Sequence, residues 1–147
     1  MIMIISIIFI IIIIIMIFVM SMLELSPEDV VILFALTLSI LQLVCSLLSP
    51  DLTVLEYGSG GSTTLFSPFV AHWTSVEHNA YWAETVNNTL KRLELSHKVS
   101  LFSVPNDLPW KGDGGETEFK SYINFPATLG QKYDLILDDG RARVAVR

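Results

Sequence analysis

The stretch that decides the fold is VLEYGSGGSTTLF, residues 54–66. An apolar run containing one acid, Glu56, leads into three glycines, and three hydroxyl residues follow. A strand that ends in a glycine turn and a helix start is typical of open parallel sheets, which bind ligands at the carboxyl ends of their strands. Gly58 and Gly60 allow a tight turn and let a ligand approach the backbone closely. The stretch therefore predicts a ligand site directly after the first strand.

The sequence around this stretch alternates between strand and helix patterns. The expected strands are 52–57, 73–76, 99–104 and 133–137, and the expected helices are 26–48, 62–69, 79–93 and one or two turns near 118–124. Such alternation predicts right-handed crossovers and a parallel sheet. Asn79 is the expected cap of the helix over 79–93, whose pattern places Trp82, Val86, Leu90 and Leu93 on one face, and a further helix is expected after Gly140. The helix over 26–48 has Ser26 as its N-cap and stops before Pro50. We expect it to pack on the sheet, and a membrane span is the alternative because residues 30–48 are uncharged.

The N-terminus is strongly apolar. Residues 1–23 contain no charge, and about 20 apolar residues suffice for a helix to cross a bilayer. The segment lacks the basic start and the cleavage site of a secretory signal. We therefore expect a hydrophobic N-terminal helix over 1–23 that acts as a single-pass transmembrane anchor, followed by a partial domain over 24–147. The alternative is that translation starts at Met22, which would make the protein cytoplasmic.

The charge distribution excludes several classes of protein. The net charge is −6, and the first lysine or arginine is Lys91. A chain without a basic patch has little electrostatic attraction for nucleic acid. Cys45 is the single cysteine, which excludes a disulfide framework and a cysteine zinc site. We expect a small-molecule or protein partner, no nucleic acid, and contact with a membrane through the N-terminal helix.

Polar residues follow the four expected strands at the points where they end. These residues are Glu56 to Gly60, Glu77 to Asn79, Pro105 to Asp107 and Asp138 to Gly140. Glu77 lies seventeen residues after Gly60, close to the place where an acid binds a ribose diol in nucleoside-binding folds. A tight turn next to a solvent-facing acid is the structural alternative. The convergence of four polar strand ends favours the ligand site.

The acid before the glycine turn distinguishes between two classes of cofactor. A dinucleotide fingerprint requires a third glycine where this chain has Thr63. The charge of Glu56 would repel a pyrophosphate, and it suits a positive amino group held directly or through water. A cationic nucleoside therefore fits better than a nicotinamide dinucleotide, which remains the weaker alternative.

Three motifs resemble those of the class I S-adenosylmethionine-dependent methyltransferases. They are EYGSGGST at 56–63, SVEHN at 75–79 and YDLILDDGRARV at 133–144, and the resemblance covers residues 26–147. It implies an α/β, Rossmann-like three-layer parallel sheet with strand order 3-2-1-4. The family's remaining strands have no sequence here, so we expect a C-terminally truncated domain or fragment.

The resemblance also implies S-adenosyl-L-methionine as the cofactor. Glu56 is expected near its amino group and Glu77 on its ribose hydroxyls, with His78 and Asn106 or Asp107 beside the adenine. The full set of cofactor-binding residues implied is Glu56, Tyr57, Gly58, Ser59, Gly60, Ser62, Glu77, His78, Asn106 and Asp107.

Asp139 is the acid closest to the expected transfer site. Its carboxylate is a candidate catalytic base, a cation ligand or a cap for the next turn. Together with Asp138 it offers too few ligands for a metal site, so no metal is predicted. Arg141 and Arg143 are candidates for binding an anionic substrate or for ion pairs with nearby acids. The predicted function is that of a methyltransferase with an unknown acceptor; the alternative is a non-catalytic, membrane-anchored remnant or nucleoside-binding module.

Overall fold

A computed structural model describes residues 26–112 and 114–141. The chain divides into two compact units, Met1–Leu47 and Leu48–Arg147. Each unit is described by itself below. The domain bounds expected from the sequence, 1–23 and 24–147, stay predictions.

The described part of the first unit is one helix, α1, Pro27–Leu47. Ser26 caps it, because the Asp29 N–H donates to Ser26 Oγ at 3.2 Å and the Ser26 N–H donates back to Asp29 Oδ2 at 3.3 Å. This reciprocal pair satisfies two backbone donors at the helix start. Glu28 and Asp29 also place negative charge at the positive end of the helix dipole. The helix expected over 26–48 is confirmed, and its packing on the sheet stays a prediction.

The predicted membrane localisation is corrected by the structure. Within residues 26–112 and 114–141, no helix has both the length and the apolar character needed to cross a membrane. This finding contradicts the single-pass anchor. The residues assigned to that anchor, 1–23, lie outside the described ranges.

The second unit is built on a four-stranded sheet. Its strands are β1 Thr53–Tyr57, β2 His72–Glu77, β3 Val99–Ser103 and β4 Leu135–Asp138. Its helices are α2 Gly61–Phe66, α3 Ala80–Arg92 and α4 Lys120–Thr128, with a 3-10 turn at Ser67–Phe69. The strands lie in the order β3-β2-β1-β4, and all three pairings are parallel. The predicted α/β fold and strand order are confirmed.

Helices cover both faces of this sheet, which gives the expected three layers. Successive side chains on a strand point to opposite faces. On β3, Phe102 packs against Phe125 of α4 with ring centroids 4.9 Å apart. Its neighbour Leu101 faces a groove beside α3 that Ala83 and Leu90 also line. The two helices α3 and α4 therefore lie on opposite faces.

The core on the α4 face joins the ends of the strands to the helix. The buried side chains of this core are Leu55, Tyr57, Val76, Phe119 and Tyr122. Apolar burial of this kind is the main stabilising contribution to the fold. Because Leu55 and Tyr57 face α4, the intervening Glu56 faces the opposite side, toward α2 and α3.

The buried stripe of α3 differs from the one expected. The pattern predicted Trp82, Val86, Leu90 and Leu93 on one buried face, whereas Ala83, Val86 and Leu90 are buried. Trp82 is 45% exposed because its ring lies at the sheet's carboxyl edge, and Leu93 follows the last helical residue. The stripe is therefore shifted by one residue at its start.

The last expected element is only partly described. The helical turns expected near 118–124 correspond to α4, which begins at Lys120 and continues to Thr128. The helix expected after Gly140 falls on residues 142–147. Those residues, with Arg143 among them, lie outside the described ranges.

Candidate functional site

The turn after β1 requires glycine at position 58. Gly58 has a φ of 86°, in the left-handed region that favours glycine. A Cβ at Gly58 would lie 2.9 Å from the Cα of Gly140 and 3.0 Å from the carbonyl carbon of Asp139. The Asp139 N–H in turn donates to the carbonyl of Tyr57 at 3.0 Å. The turns after β1 and β4 are therefore packed backbone against backbone.

The next two glycines have no such requirement. Gly60 has an extended φ of 173°, and its added Cβ would meet Trp82 Nε1 at an ordinary 4.0 Å. A Cβ at Gly61 would meet no described atom within 4 Å. Both residues line a cavity. That their glycines let a ligand approach closely stays a prediction.

This cavity lies at the carboxyl ends of β1, β2 and β4 and has a volume of about 710 Å³. Its lining comprises Gly58 to Ser62, Glu77 to Asn79, Tyr81, Trp82, Trp110 and Asp139 to Arg141. A volume between about 300 and 1,000 Å³ is usual for small-molecule sites. Three of the four polar strand ends therefore meet as expected.

Glu77 ties two turns together at the wall of the cavity. It is 3% exposed, its Oε2 accepts the Ser59 N–H at 3.0 Å, and its Oε1 accepts the Asn79 N–H at 2.8 Å. Asn79 then caps α3, as predicted, by accepting the Trp82 N–H at 3.1 Å. Oε2 also accepts the Ser59 hydroxyl at 3.4 Å, so of the about four acceptor positions of a carboxylate about one is left for a further donor.

Glu56 lies below the cavity and does not line it. Its side chain is 0% exposed, and its carboxylate accepts hydrogen bonds from Ser62, Thr63, Trp73 and Ser75. Of these four residues, Ser62 is the one that lines the cavity. Ser62 therefore lies between Glu56 and the cavity, and the expected place of Glu56 beside a ligand's amino group stays a prediction.

His78 lines the cavity in a cage of aromatic rings. Its ring makes edge contacts with Trp110, Phe119 and Tyr122 at centroid distances of 5.5, 5.4 and 6.0 Å. Burial lowers the pKa of His78, while Glu77 acts to raise it and Arg141 to lower it further. Nδ1 lies 2.9 Å from Glu77 Oε1 but outside hydrogen-bond geometry. Burial therefore favours the neutral form of the imidazole.

Two tyrosines support the site from the other face of the sheet. Tyr57 donates its hydroxyl to the carbonyl of Ile123 at 2.8 Å, and burial with the nearby Asp138 raises the pKa of Tyr57 to about 12. Tyr122 is fully buried, and burial raises its pKa above its usual range. A Cβ at Gly140 would lie 2.1 Å from Tyr122 Oη. Glycine at 140 is therefore required by packing.

The two residues expected beside the adenine are placed elsewhere. Asn106 donates its side-chain amide to the carbonyl of Leu108 at 2.9 Å. Asp107 caps α4 by accepting the Ser121 N–H at 2.7 Å, and its hydrogen bonds from Ser121 lower its pKa. Neither lines the cavity, so their contact with a ligand stays a prediction. Trp110, which the sequence analysis missed, lines the cavity beside His78.

Of the predicted site residues, seven line the cavity: Gly58, Ser59, Gly60, Ser62, Glu77, His78 and Asp139. Glu56 and Tyr57 contact these residues from behind. Across residues 26–112 and 114–141, no three His, Cys, Asp or Glu side chains are grouped as metal ligands. The roles assigned to individual residues stay predictions.

Comparison with known proteins places the fold. No protein-family model matches the sequence, and no curated protein matches it. The chain is similar to the crystal structure of a methyltransferase-like protein from Silicibacter pomeroyi, with a TM-score of 0.50 and 28% sequence identity. The match covers 70% of this chain and 59% of that protein, so this chain spans less than two thirds of its length. Together with the parallel sheet, this similarity gives the chain a Rossmann-like, methyltransferase-like fold.

Proposed function

We propose that the protein binds S-adenosyl-L-methionine in the cavity at the strand ends and is a methyltransferase for a small-molecule or protein acceptor. The observation that carries the proposal is Glu77, a buried carboxylate at the end of β2 that lines the cavity beside the Gly58–Gly61 turn. An acid at this place in a nucleoside-binding fold accepts hydrogen bonds from a ribose diol. The similarity to a methyltransferase-like protein supports the same reading.

The lining offers a place for each part of such a nucleoside. Glu77 would accept a ribose hydroxyl with its remaining acceptor position. His78 and Trp110 would border the adenine, because a neutral imidazole and an indole suit a flat, uncharged base. Gly60 and Ser62 would face the methionyl part, since glycine leaves the backbone open to a ligand.

Methyl transfer makes few demands on the protein. A bound sulfonium cofactor supplies the methyl group, and the protein must hold the acceptor atom in line with it and deprotonated. Asp139 lines the cavity and is the candidate base for that proton. Arg141, on the same wall, is a candidate for binding an anionic acceptor.

Calorimetry with the full chain tests the proposal. We expect S-adenosylmethionine and S-adenosylhomocysteine to bind with micromolar affinity. Glu77→Gln should weaken both by at least about tenfold, the equivalent of about 1.4 kcal/mol. Glu84→Gln is the matched control, because Glu84 is an exposed acid on α3 that does not line the cavity.

Three results would contradict the proposal in different ways. If neither ligand binds, S-adenosyl-L-methionine is excluded as the cofactor. Tighter binding of NADH would favour a dinucleotide site. Binding without transfer of a labelled methyl group to any tested acceptor would favour a nucleoside-binding module.

A further inference from the structure

The sheet has an open edge at β3. Among the described strands, β3 comes first in the order β3-β2-β1-β4 and pairs with β2 alone. Native proteins usually protect such an edge with a proline, a charged side chain or a bulge. The sequence of β3, VSLFS, contains neither a proline nor a charge, and its register with β2 is continuous. This edge therefore lacks the usual protection against pairing with a further strand.

Two hydrogen bonds at the ends of β3 show which of its backbone groups face the open edge. The Trp73 N–H donates to the carbonyl of Lys98 at 2.9 Å, and the Val104 N–H donates to the carbonyl of Glu77 at 2.8 Å. In a parallel ladder every second residue bonds to the neighbouring strand, so the even-numbered residues from 98 to 104 face β2. The odd-numbered residues direct their N–H and C=O groups to the open edge. These residues are Val99, Leu101 and Ser103.

A groove runs beside the same edge, between α3 and β3. The three residues whose backbone faces the edge also line this α3–β3 groove, and Ala80 and Ala83 line it from α3. Its volume of about 460 Å³ is sufficient for side chains of a ligand. Side chains of a strand alternate between the two faces of a sheet, so every second side chain of an added strand would lie on the side of the groove.

The charge of the α3–β3 groove indicates what kind of segment it fits. Among its described lining residues, Glu84 is the charged one, and its side chain is exposed. Leu90 and Val99 contribute buried apolar surface. The chain as a whole has a net charge of −6. A segment with apolar and basic side chains is therefore complementary to the groove, whereas β3 of a second copy contains no basic residue.

We infer that the open edge of β3 and the α3–β3 groove form a docking surface for an extended segment of a partner protein that carries a lysine or an arginine. The segment adds a strand to the sheet, so that backbone hydrogen bonds provide affinity and alternate side chains provide specificity. The groove shares no described lining residue with the cavity at the strand ends. The inference therefore goes beyond the proposed function and does not depend on it.

Peptide selection against the full chain supplies a probe. A library of random linear peptides displayed on phage is selected on the protein, and the most enriched sequence is synthesised. We expect the enriched peptides to alternate apolar with polar residues, as a strand with two different faces does, and to contain lysine or arginine.

Amide hydrogen exchange measured by NMR tests the pairing at each residue. In the unbound chain, Ser100 and Phe102 should exchange more slowly than Val99, Leu101 and Ser103, because their N–H groups bond to β2. The synthetic peptide should slow exchange at the three outward-facing residues by at least about tenfold, since hydrogen-bonded amides exchange only after opening. Exchange at Ser100 and Phe102 should change by less than about threefold, because they are already protected.

Two pairs of variants test the charge and the backbone contact by calorimetry with the same peptide. Glu84→Lys should weaken binding about three- to tenfold, because an exposed attraction becomes a repulsion. Its matched control, Glu116→Lys, makes the same change in net charge at an exposed residue outside the groove. Ser103→Pro removes an outward-facing N–H, which an edge strand tolerates, and should weaken binding at least about threefold. Its control, Ser103→Ala, keeps the N–H and should stay within about twofold.

Several results would overturn the inference and leave the proposed function untouched. They are a selection that enriches no peptide, enriched peptides without a basic residue, equal binding by the parent and both test variants, and unchanged exchange at the three outward-facing residues. Slow exchange at these residues in the unbound chain, increasing with protein concentration, would show that a second copy covers the edge. That result would overturn the assignment to a partner protein.

Discussion

Replacing Gly58 by alanine should destabilise the fold by an amount that follows from its surroundings. Holding alanine at a φ of 86° costs about 1–2 kcal/mol. Its Cβ would lie 2.9 Å from the Gly140 Cα, and such overpacking costs about 1–3 kcal/mol. Alanine also reduces the entropy of the unfolded chain, which returns about 0.4–1 kcal/mol. We expect a net loss of about 1–5 kcal/mol in the free energy of unfolding.

Urea unfolding of the full chain measures this loss, with Gly60→Ala as the matched control. The midpoint should fall for Gly58→Ala with an unchanged m-value, which indicates a change in stability alone. Gly60 has an extended backbone and open space beside it, so its alanine variant should stay within about 0.5 kcal/mol of the parent. It should instead weaken binding of S-adenosylhomocysteine, because it adds a methyl group at a residue that lines the cavity.

The two glycines therefore have opposite expected effects on stability and binding. A loss below about 0.5 kcal/mol for Gly58→Ala would refute the close packing of the turns after β1 and β4. An equal loss for Gly60→Ala would refute the reasoning that a ligand, and not the protein's own packing, requires glycine there.

Three further predictions concern two residues that line the cavity, His78 and Trp82, and one tyrosine behind it, Tyr57. Burial lowers the pKa of His78, so the contribution of His78 to stability is full above its unfolded pKa of about 6.5 and is lost as pH falls through the lowered value. Urea midpoints measured between about pH 7 and pH 5 should therefore depend less on pH in the His78→Phe variant than in the parent. The pKa of Tyr57 is raised to about 12, so the contribution of Tyr57 to stability is lost as pH rises from about 10 toward that value. In an alkaline titration, Tyr57→Phe should remove part of the phenolate absorbance that appears near pH 12. Trp82 Nε1 donates to the Ser59 carbonyl at 2.7 Å, so Trp82→Phe should weaken S-adenosylhomocysteine by about two- to tenfold in calorimetry, and unchanged affinity would contradict a role for that bond in shaping the turn.

Local patterns in the sequence predicted most elements of the fold. The cap at Asn79 was predictable because the side chain bonds a backbone N–H only three residues away. The strand order followed from the resemblance and not from local pattern, since parallel neighbours are joined by long crossovers. The predicted buried face of α3 was wrong at Trp82. Helical periodicity does not show that the first turn of α3 lies at the edge of the sheet, where the Trp82 side chain is partly exposed.

The site was less predictable than the fold because the residues that contact one another there are distant along the chain. An acid in an apolar strand is compatible with a ligand contact and with a buried hydrogen-bond network. The side chains that donate hydrogen bonds to Glu56 belong to α2 and β2, so the sequence near Glu56 does not show which of the two it forms. The cap that Asp107 makes for α4 spans fourteen residues to Ser121. Trp110 lies in an irregular segment with no periodic pattern, and its place beside His78 follows from tertiary packing alone.

The turn at Gly58 and the turn at Gly140, which form two parts of the cavity wall, are closely packed against each other. The space between the two turns is too small even for a Cβ at Gly58, so a movement of the first turn toward the second by more than this small gap would displace the second. If the proposed nucleoside displaced the first turn, the segment carrying Asp139 would move with it. Such mechanical coupling is reciprocal, so a molecule bound at either turn would change the affinity at the other.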